Sequence, residues 1–247
     1  MPRADLLLTV AGQAASRTAA QRLIAAGRVS WAGGTISKAA MDLPENTLFT
    51  VAVDPDDRFV SRGGLKLAGA LAETGITVNS KSCLDVGQST GGFTDCLLQA
   101  GARHVVGVDV GHGQLHPKLI NDSRITALEG INCRALNTTD LGAAFPTDGF
   151  DLIVGDVSFI SMALVLPQLP ALLANTGNLL LLIKPQFEVG PGNIGKGGIV
   201  RNASLYAEVE NKLRSCALSL NLKVRAWLDS PITGGDGNRE FFIWLNK

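Results

Sequence analysis

Apolar runs of strand length alternate with amphipathic stretches along most of the chain beyond Ser80. A continuous short apolar run is typical of a strand buried on both faces, whereas apolar residues at intervals of three and four favour a helix. The pattern predicts strands around Cys83, His104, Ile125, Leu152, Leu179 and Val224, and helices after Gly92, Pro117, Ser161 and Ala203. This alternation indicates an α/β fold with a mainly parallel, doubly wound sheet. The last apolar run, 241–245, follows a loop too short for a crossover helix and therefore predicts an antiparallel strand beside the one around Val224.

The first fifty-odd residues have a different pattern and predict a separate small module. Ser16 is a candidate N-cap of a helix with one apolar face, and Gly27 is placed to end it. Short apolar stretches on either side of Gly33 and Gly34 predict a tight hairpin. We therefore predict a small α+β domain over 1–53, a linker over 54–60 that begins with an acidic, proline-containing stretch, and a larger domain over 61–247.

Charge is distributed unevenly, although the formal net charge is zero. Up to Met41 the basic residues outnumber Asp5, the one acidic residue there. Such a surplus of basic residues is typical of a surface that binds an RNA phosphate backbone, although it also occurs on an ordinary solvent-exposed face. The candidate RNA-binding residues are Arg3, Arg17, Arg22 and Arg28.

Composition limits the class of protein. The longest apolar runs, such as 179–183, are far shorter than the ~18 residues that a membrane helix needs, so no membrane span is expected. The N-terminal stretch carries Asp5 and lacks the apolar region of a signal peptide. The four cysteines are scattered without metal-ligand or disulfide spacing. We expect a cytoplasmic protein with reduced cysteines and no metal site.

The stretch 84–101, LDVGQSTGGFTDCLLQAG, predicts a buried strand, a glycine-bearing turn and the start of a helix. Its glycines allow a ligand close to the backbone, but their spacing differs from the dinucleotide motif and Asp85 would oppose a pyrophosphate. Asp109, after the next strand, is placed to bind a ribose diol, and Asn132 is a further candidate near an adenine. A phosphate-free, cationic nucleoside fits this site, which points to S-adenosylmethionine. The candidate cofactor-binding residues are Asp85, Gly87, Ser89, Thr90, Gly91, Gly92, Asp109, Asn132 and Asp156.

Four ionisable residues are predicted to converge at the same edge of the sheet: Lys66, Asp156, Lys184 and Glu240. Two lysines and two carboxylates beside a methyl donor suit transfer to a weakly acidic hydroxyl, because a second ammonium would lower the pKa of a lysine base. Taken singly, Lys184 could instead extend out of the sheet to solvent, and Asp156 could cap a helix.

Several motifs together resemble the TlyA family, whose members are described both as hemolysins and as ribosomal RNA 2′-O-methyltransferases. They are RGGLKL, DVGQSTGGFTD, GVDVGHGQL, DVSFIS, IKPQFEVG, GKGGIVR and SPITGGDGNREF, and they span nearly the whole chain. The resemblance implies a ribosomal-protein-like RNA-binding domain followed by an FtsJ-like methyltransferase domain with a Rossmann-like fold. It also implies a catalytic tetrad of Lys66, Asp156, Lys184 and Glu240, and 2′-O-methylation of a cytidine in ribosomal RNA. Gln88 stands where a small residue is expected in the cofactor turn.

Three other functions compete with this interpretation. A pore-forming hemolysin would need membrane-length segments, which the sequence lacks. A nucleotide hydrolase is suggested by G-x-x-x-x-G-K over 190–196, but Gly197 follows in place of the Ser or Thr that binds magnesium. A non-catalytic RNA-binding adaptor would not need the intact set of four ionisable residues. The sequence leaves open the modified nucleotide, the ribosomal subunit and whether the protein is a monomer or a weak dimer.

Overall fold

The computed structural model describes residues 1–14, 16–52 and 58–247. The chain forms two compact units, Met1–Asp57 and Arg58–Lys247. Most of the predicted linker lies outside the described residues. Its last three residues, 58–60, instead belong to the second unit: Phe59 is buried, and the backbone N–H of Val60 donates to Asp95 Oδ2 at 2.8 Å. The larger domain therefore begins a few residues earlier than predicted.

The first unit combines two helices with a small antiparallel sheet. Its described elements are α1 (Ala4–Val10), α2 (Arg17–Ala25), β1 (Val29–Trp31), β2 (Gly34–Thr35) and β3 (Thr50–Val51), with strand order β2-β1-β3. The cap predicted for α2 is confirmed, because Ser16 Oγ accepts from Ala19 N at 3.2 Å and Gly27 has a φ of +69°. The hairpin turn is shifted by one residue, since Gly34 pairs with Trp31. Neither α1 nor β3 was predicted.

The second unit is built on a seven-stranded sheet with the order β6-β5-β4-β7-β8-β10-β9. Its strands are β4 (Ser82–Val86), β5 (His104–Asp109), β6 (Ile125–Glu129), β7 (Phe150–Gly155), β8 (Leu173–Ile183), β9 (Lys223–Asp229) and β10 (Phe241–Asn246). Its helices are α3 (Gly63–Thr74), α4 (Gly92–Gln99), α5 (Pro117–Ile120), α6 (Thr138–Leu141), α7 (Met162–Val165) and α8 (Ser204–Ser219). The predicted alternation and the antiparallel last strand are confirmed: β10 lies between β8 and β9 and runs antiparallel to both.

The central strands β4, β5 and β7 are almost fully buried because both faces of the sheet are covered there, whereas the edge strands β6 and β9 are partly exposed. Leu84 and Val106 belong to the hydrophobic cluster on one face, while Cys83 and Val105 belong to the cluster on the other. From β4 the chain proceeds outward through β5 and β6, then returns to β7 on the other side of β4. In open α/β sheets, ligands bind at the carboxyl ends of the strands where the order reverses in this way. The functional site is therefore expected beyond the ends of β4 and β7.

Candidate active site

The turn after β4 needs glycine at two positions. Gly87 has a φ of +85°, and a Cβ there would lie 2.7 Å from the backbone oxygen of Asp156. Gly91 has a φ of +88°, and a Cβ there would lie 2.5 Å from Leu119 Cδ1. A side chain at position 87 would push the turn away from the end of β7, and one at position 91 would displace the side chain of Leu119. Gly87 thus keeps the turn close to the crevice between β4 and β7.

Asp109 ends β5 with both carboxylate oxygens oriented by backbone donors. Its Oδ2 accepts from Ser89 N at 2.8 Å, and its Oδ1 accepts from Gly111 N at 2.7 Å. Asp109 lines a cavity of about 600 Å³ together with Gly87, Ser89, Val110, Gln114, Asn132, Cys133, Arg134, Asp156, Val157, Ser158, Phe159 and Ile160. The predicted ribose-binding carboxylate and the predicted adenine-side amide therefore face one cavity of nucleoside size.

Asp85 is not in that cavity, contrary to the direct cofactor contact predicted for it. It is fully buried under the turn, where its Oδ2 accepts from Thr94 Oγ1 at 2.7 Å. Burial raises the pKa of this carboxyl to about 7, although the hydrogen bond from Thr94 opposes the shift. Gln88 is buried as well: its side chain packs against Gly107, and its Nε2 donates to Thr94 Oγ1 at 2.9 Å. Asp85 thus supports the turn from below, whereas Gln88 also reaches a cavity beside the turn.

The four predicted tetrad residues come together in two ion pairs. Lys66 Nζ lies 2.5 Å from Glu240 Oε2, and Lys184 Nζ lies 2.5 Å from Asp156 Oδ1. Lys184 Nζ also donates to Ser158 Oγ at 2.8 Å. The sequence argument placed the ammonium of Lys66 next to Lys184. In the structure, the charged group in contact with each lysine is instead a carboxylate. Carboxylates compensate the cost of burying both lysines.

Sheet topology explains the convergence. Asp156 and Lys184 directly follow the parallel strands β7 and β8, so both lie at the carboxyl edge. Glu240 precedes β10, whose antiparallel direction brings its first residue, Phe241, opposite Ile183 at the same edge. Lys66 reaches the group from the fourth residue of α3.

Electrostatics connect the two ion pairs. Burial raises the pKa of Glu240, while the hydrogen bond and charge of Lys66 and the charge of Lys184 oppose that shift and the charge of Asp156 adds to it. The pKa of Glu240 thus depends on the charges of the other three groups. Lys66, Asp156 and Lys184 line a second cavity of about 220 Å³, which shares Gly87, Ser89, Asp156 and Ser158 with the larger one. The nucleoside-sized cavity therefore adjoins the cavity that three of the tetrad residues line.

Sequence reasoning missed several residues of this site. Ser61 and Arg62 line the smaller cavity, as do Thr90 and Gly92, which were predicted. Phe159 lines the larger cavity with 92% of its surface exposed and a left-handed φ of +63°. An exposed aromatic ring on a strained backbone has no local sequence signature. Two signals were available: Arg62 begins the RGGLKL motif that contains Lys66, with Ser61 directly before it, and Phe159 lies in the DVSFIS motif that contains Asp156.

The candidate RNA-binding arginines have different surroundings in the first unit. Arg3 and Arg17 form ion pairs with the fully buried Asp5 at 3.0 and 2.9 Å, while about half of each guanidinium side chain remains exposed. Arg28 donates to Ala52 O, and Arg22 is exposed on α2. Asp5 was counted only as an opposing charge, but it orients two of these arginines.

Two features are absent from the described part of the chain. Within the described ranges, no helix has the length and apolar character needed to cross a bilayer. The same residues contain no group of His, Cys, Asp and Glu side chains arranged to hold a metal ion.

The fold and site together define a Rossmann-like methyltransferase. The profile of the FtsJ-like methyltransferase family matches residues 59–247. The 16S/23S rRNA (cytidine-2′-O)-methyltransferase TlyA of Mycobacterium tuberculosis is 42% identical, over 98% of this chain and 89% of the relative. Hemolysin A of Brachyspira hyodysenteriae is 39% identical, over 97% of both chains.

A solved structure gives the same result. A Streptococcus thermophilus protein, provisionally described as a hemolysin, superposes with a TM-score of 0.76 at 39% identity, covering 99% of this chain and 88% of that one. The chain belongs to the TlyA family of FtsJ-like methyltransferases.

Proposed function

We propose that the protein transfers a methyl group from S-adenosylmethionine to the ribose 2′-hydroxyl of a cytidine in ribosomal RNA. The observation that carries the proposal is the pairing of Lys66 with Glu240 and of Lys184 with Asp156 next to a nucleoside-sized cavity. The Mycobacterium tuberculosis relative, named as an rRNA (cytidine-2′-O)-methyltransferase, supports this choice of acceptor. A cytoplasmic location follows from this substrate.

The larger cavity fits S-adenosylmethionine by its chemistry. Asp109 offers carboxylate lone pairs to a ribose diol, Asn132 is available at the base side, and Gly87 allows a close approach to the backbone. The cationic sulfonium suits a site with the carboxylate of Asp156 on its wall. When bound, the cofactor supplies an electrophilic methyl group.

Lys184 is the group proposed to take up the hydroxyl proton. Asp156 Oδ1 and Ser158 Oγ lie 2.5 and 2.8 Å from its Nζ and fix the amine at the wall of the smaller cavity. There its unprotonated form would accept the proton of a ribose hydroxyl. Lys66 is held beside this site by Glu240 and adds positive charge where the ribose oxygen becomes negative.

RNA affinity is assigned to the first unit. The exposed parts of Arg3 and Arg17, together with Arg22 and Arg28, are proposed to contact phosphates. Because Asp5 uses one edge of the Arg3 and Arg17 guanidinium groups, the remaining N–H donors are presented in a fixed orientation.

The test measures methyl incorporation from labelled S-adenosylmethionine into ribosomal subunits and into naked ribosomal RNA, followed by mapping of 2′-O-methylated nucleotides. We expect one or a few cytidines to be modified by the wild type and none by Lys184→Met, with cofactor binding retained. Lys184→Arg should also fail, because guanidinium does not release its proton near neutral pH. Lys223→Met, a change at an exposed lysine on β9, is the matched control and should be fully active. Methylation of a base, or an active Lys184→Arg enzyme, would contradict the proposed chemistry.

A further inference from the structure

Glu188 is a buried carboxylate outside both cavities that contacts the segment carrying Asp156. Only 1% of its side chain is exposed. Its Oε1 accepts from Met162 N at 2.6 Å, and its Oε2 accepts from Ser161 Oγ at 2.5 Å. Lys212 Nζ, on α8, donates to the same Oε2 at 2.8 Å. Both carboxylate oxygens are therefore occupied by protein donors, and none of these donors lines either active-site cavity.

Two sets of contacts connect the segments 156–162 and 184–188, and the contacts of Glu188 are the second set. The first connection lies at the tetrad, where Lys184 contacts Asp156 and Ser158. The second lies further along both segments, where Glu188 contacts Ser161 and Met162. The segments 156–162 and 184–188 are thus held together at both ends.

The residue between the two connections has an unfavourable backbone conformation. Phe159 has a φ of +63°, which a side chain with a Cβ rarely adopts, and it is 92% exposed. Its ring contacts Phe187 with 5.4 Å between centroids. Because little of Phe159 is buried, its own packing cannot hold this conformation, and strained backbone persists where the surroundings fix it. The connections at 156–158 and 161–162 supply that restraint.

Lys212 compensates the charge of the buried Glu188 carboxylate and connects the two segments to a long helix. Besides Glu188 Oε2, its ammonium donates to Ser161 Oγ at 3.3 Å and to the backbone oxygen of Glu188 at 3.2 Å. A buried carboxylate without a charged partner is strongly disfavoured. Lys212 therefore links both active-site segments to α8, which has sixteen residues.

We propose that Glu188, oriented by Lys212, is a positioning residue for methyl transfer: it holds the 156–162 segment so that Asp156 and Ser158 orient the amine of Lys184. The inference rests on the proposed function. Glu188 acts through these residues and does not touch the substrate or cofactor. Small displacements of a catalytic group can cost on the order of 10²-fold in rate. Loss of Glu188 should therefore lower kcat and leave cofactor and RNA affinity nearly unchanged.

The experiment compares Glu188→Gln, Lys212→Met, their double variant, and Lys212→Arg in the full-length protein, with ribosomal RNA as methyl acceptor. Rates are divided by the concentration of cofactor-binding sites, so that a loss of folded protein does not count as a loss of activity. Glu210→Gln is the matched control, because it removes a half-exposed ion pair with Arg214 on the same helix.

We expect Glu188→Gln and Lys212→Met to lower kcat about ten- to hundredfold, with both KM values within about threefold of wild type. The double variant should lose no more than the worse single variant, since the two residues act as one unit. Lys212→Arg keeps the charge and the donors and should recover most of the rate. Glu210→Gln should be as active as wild type.

Several outcomes would overturn the proposal: a kcat per binding site within twofold of wild type in Glu188→Gln, a loss confined to KM, or independent, multiplicative losses in the double variant. A wild-type protein that methylates no RNA would instead reject the proposed function and this inference with it. An active wild type with an equally active Glu188→Gln variant would reject this inference alone.

Discussion

Replacement of Asp109 by alanine should weaken binding of S-adenosylmethionine about ten- to hundredfold. The carboxylate lines the larger cavity, and each of its oxygens accepts one backbone N–H, from Ser89 at 2.8 Å and from Gly111 at 2.7 Å. Each oxygen keeps a second lone pair, so a ribose diol can donate to both. The loss of a hydrogen bond to a charged acceptor costs about 1.5–3 kcal/mol, and a factor of ten in Kd corresponds to about 1.4 kcal/mol.

Isothermal titration calorimetry of the purified variants with S-adenosylmethionine measures this change directly. Asp109→Asn keeps one carbonyl acceptor and should lose less affinity than Asp109→Ala. Asp122→Ala is the matched control, because Asp122 forms a surface ion pair with Arg124 at 2.7 Å and lines neither active-site cavity. Melting temperatures separate loss of binding from loss of the turn that Asp109 stabilises. Unchanged affinity in a folded Asp109→Ala variant would refute ribose recognition by this carboxylate.

Three further predictions concern other parts of the chain. Glu240→Gln should lower the single-turnover methylation rate less than removal of the proposed base, Lys184, because glutamine still offers Lys66 a hydrogen-bond acceptor; complete loss of activity would contradict this. Asp5→Asn should destabilise the first unit by about 1–3 kcal/mol in denaturant unfolding, because a buried acceptor of several hydrogen bonds is weakened. Hydrogen bonding from Arg3 is the main cause that lowers the pKa of Asp5 in the folded protein. The stabilisation that ionised Asp5 gives to the first unit is therefore present above the ordinary aspartate pKa and is lost as the pH falls towards the folded-state pKa. A stability difference between wild type and Asp5→Asn that does not change with pH would contradict this. A fragment comprising 58–247 should bind cofactor but lose RNA methylation. Filter binding would measure cofactor affinity, and methyl incorporation would measure activity on RNA. Full activity of the fragment would show that the first unit is not needed for RNA methylation.

Some parts of the active site could be predicted from sequence because they depend on short stretches of chain. The turn after β4 needs glycine at Gly87 and Gly91 whatever surrounds it, since both have a left-handed φ. Asp109 ends a strand whose apolar run is easily recognised. The tetrad was assigned through family motifs, because its members are separated by up to about 170 residues and no local pattern relates them.

Other features depend on contacts that only the folded chain makes. The burial of Asp85 follows from how the turn packs on α4, and the sequence could not distinguish a carboxylate that faces a ligand from one beneath the turn. The short helix α1 was not predicted. Its buried residues pack against the rest of the first unit.

The sequence by itself determined the order and type of the main strands and helices, because the periodicity of apolar residues reflects which faces must be buried. Only the tertiary structure decided which charges are paired. The antiparallel insertion of β10 between β8 and β9 brings Glu240 to the edge where Lys66 and Lys184 meet, and it gives each lysine its own carboxylate. The contacts of Glu188 with Met162 and Lys212 arise in the same way. Ion pairs and hydrogen bonds between distant segments depend on distances of a few ångströms, and strand order and register set those distances.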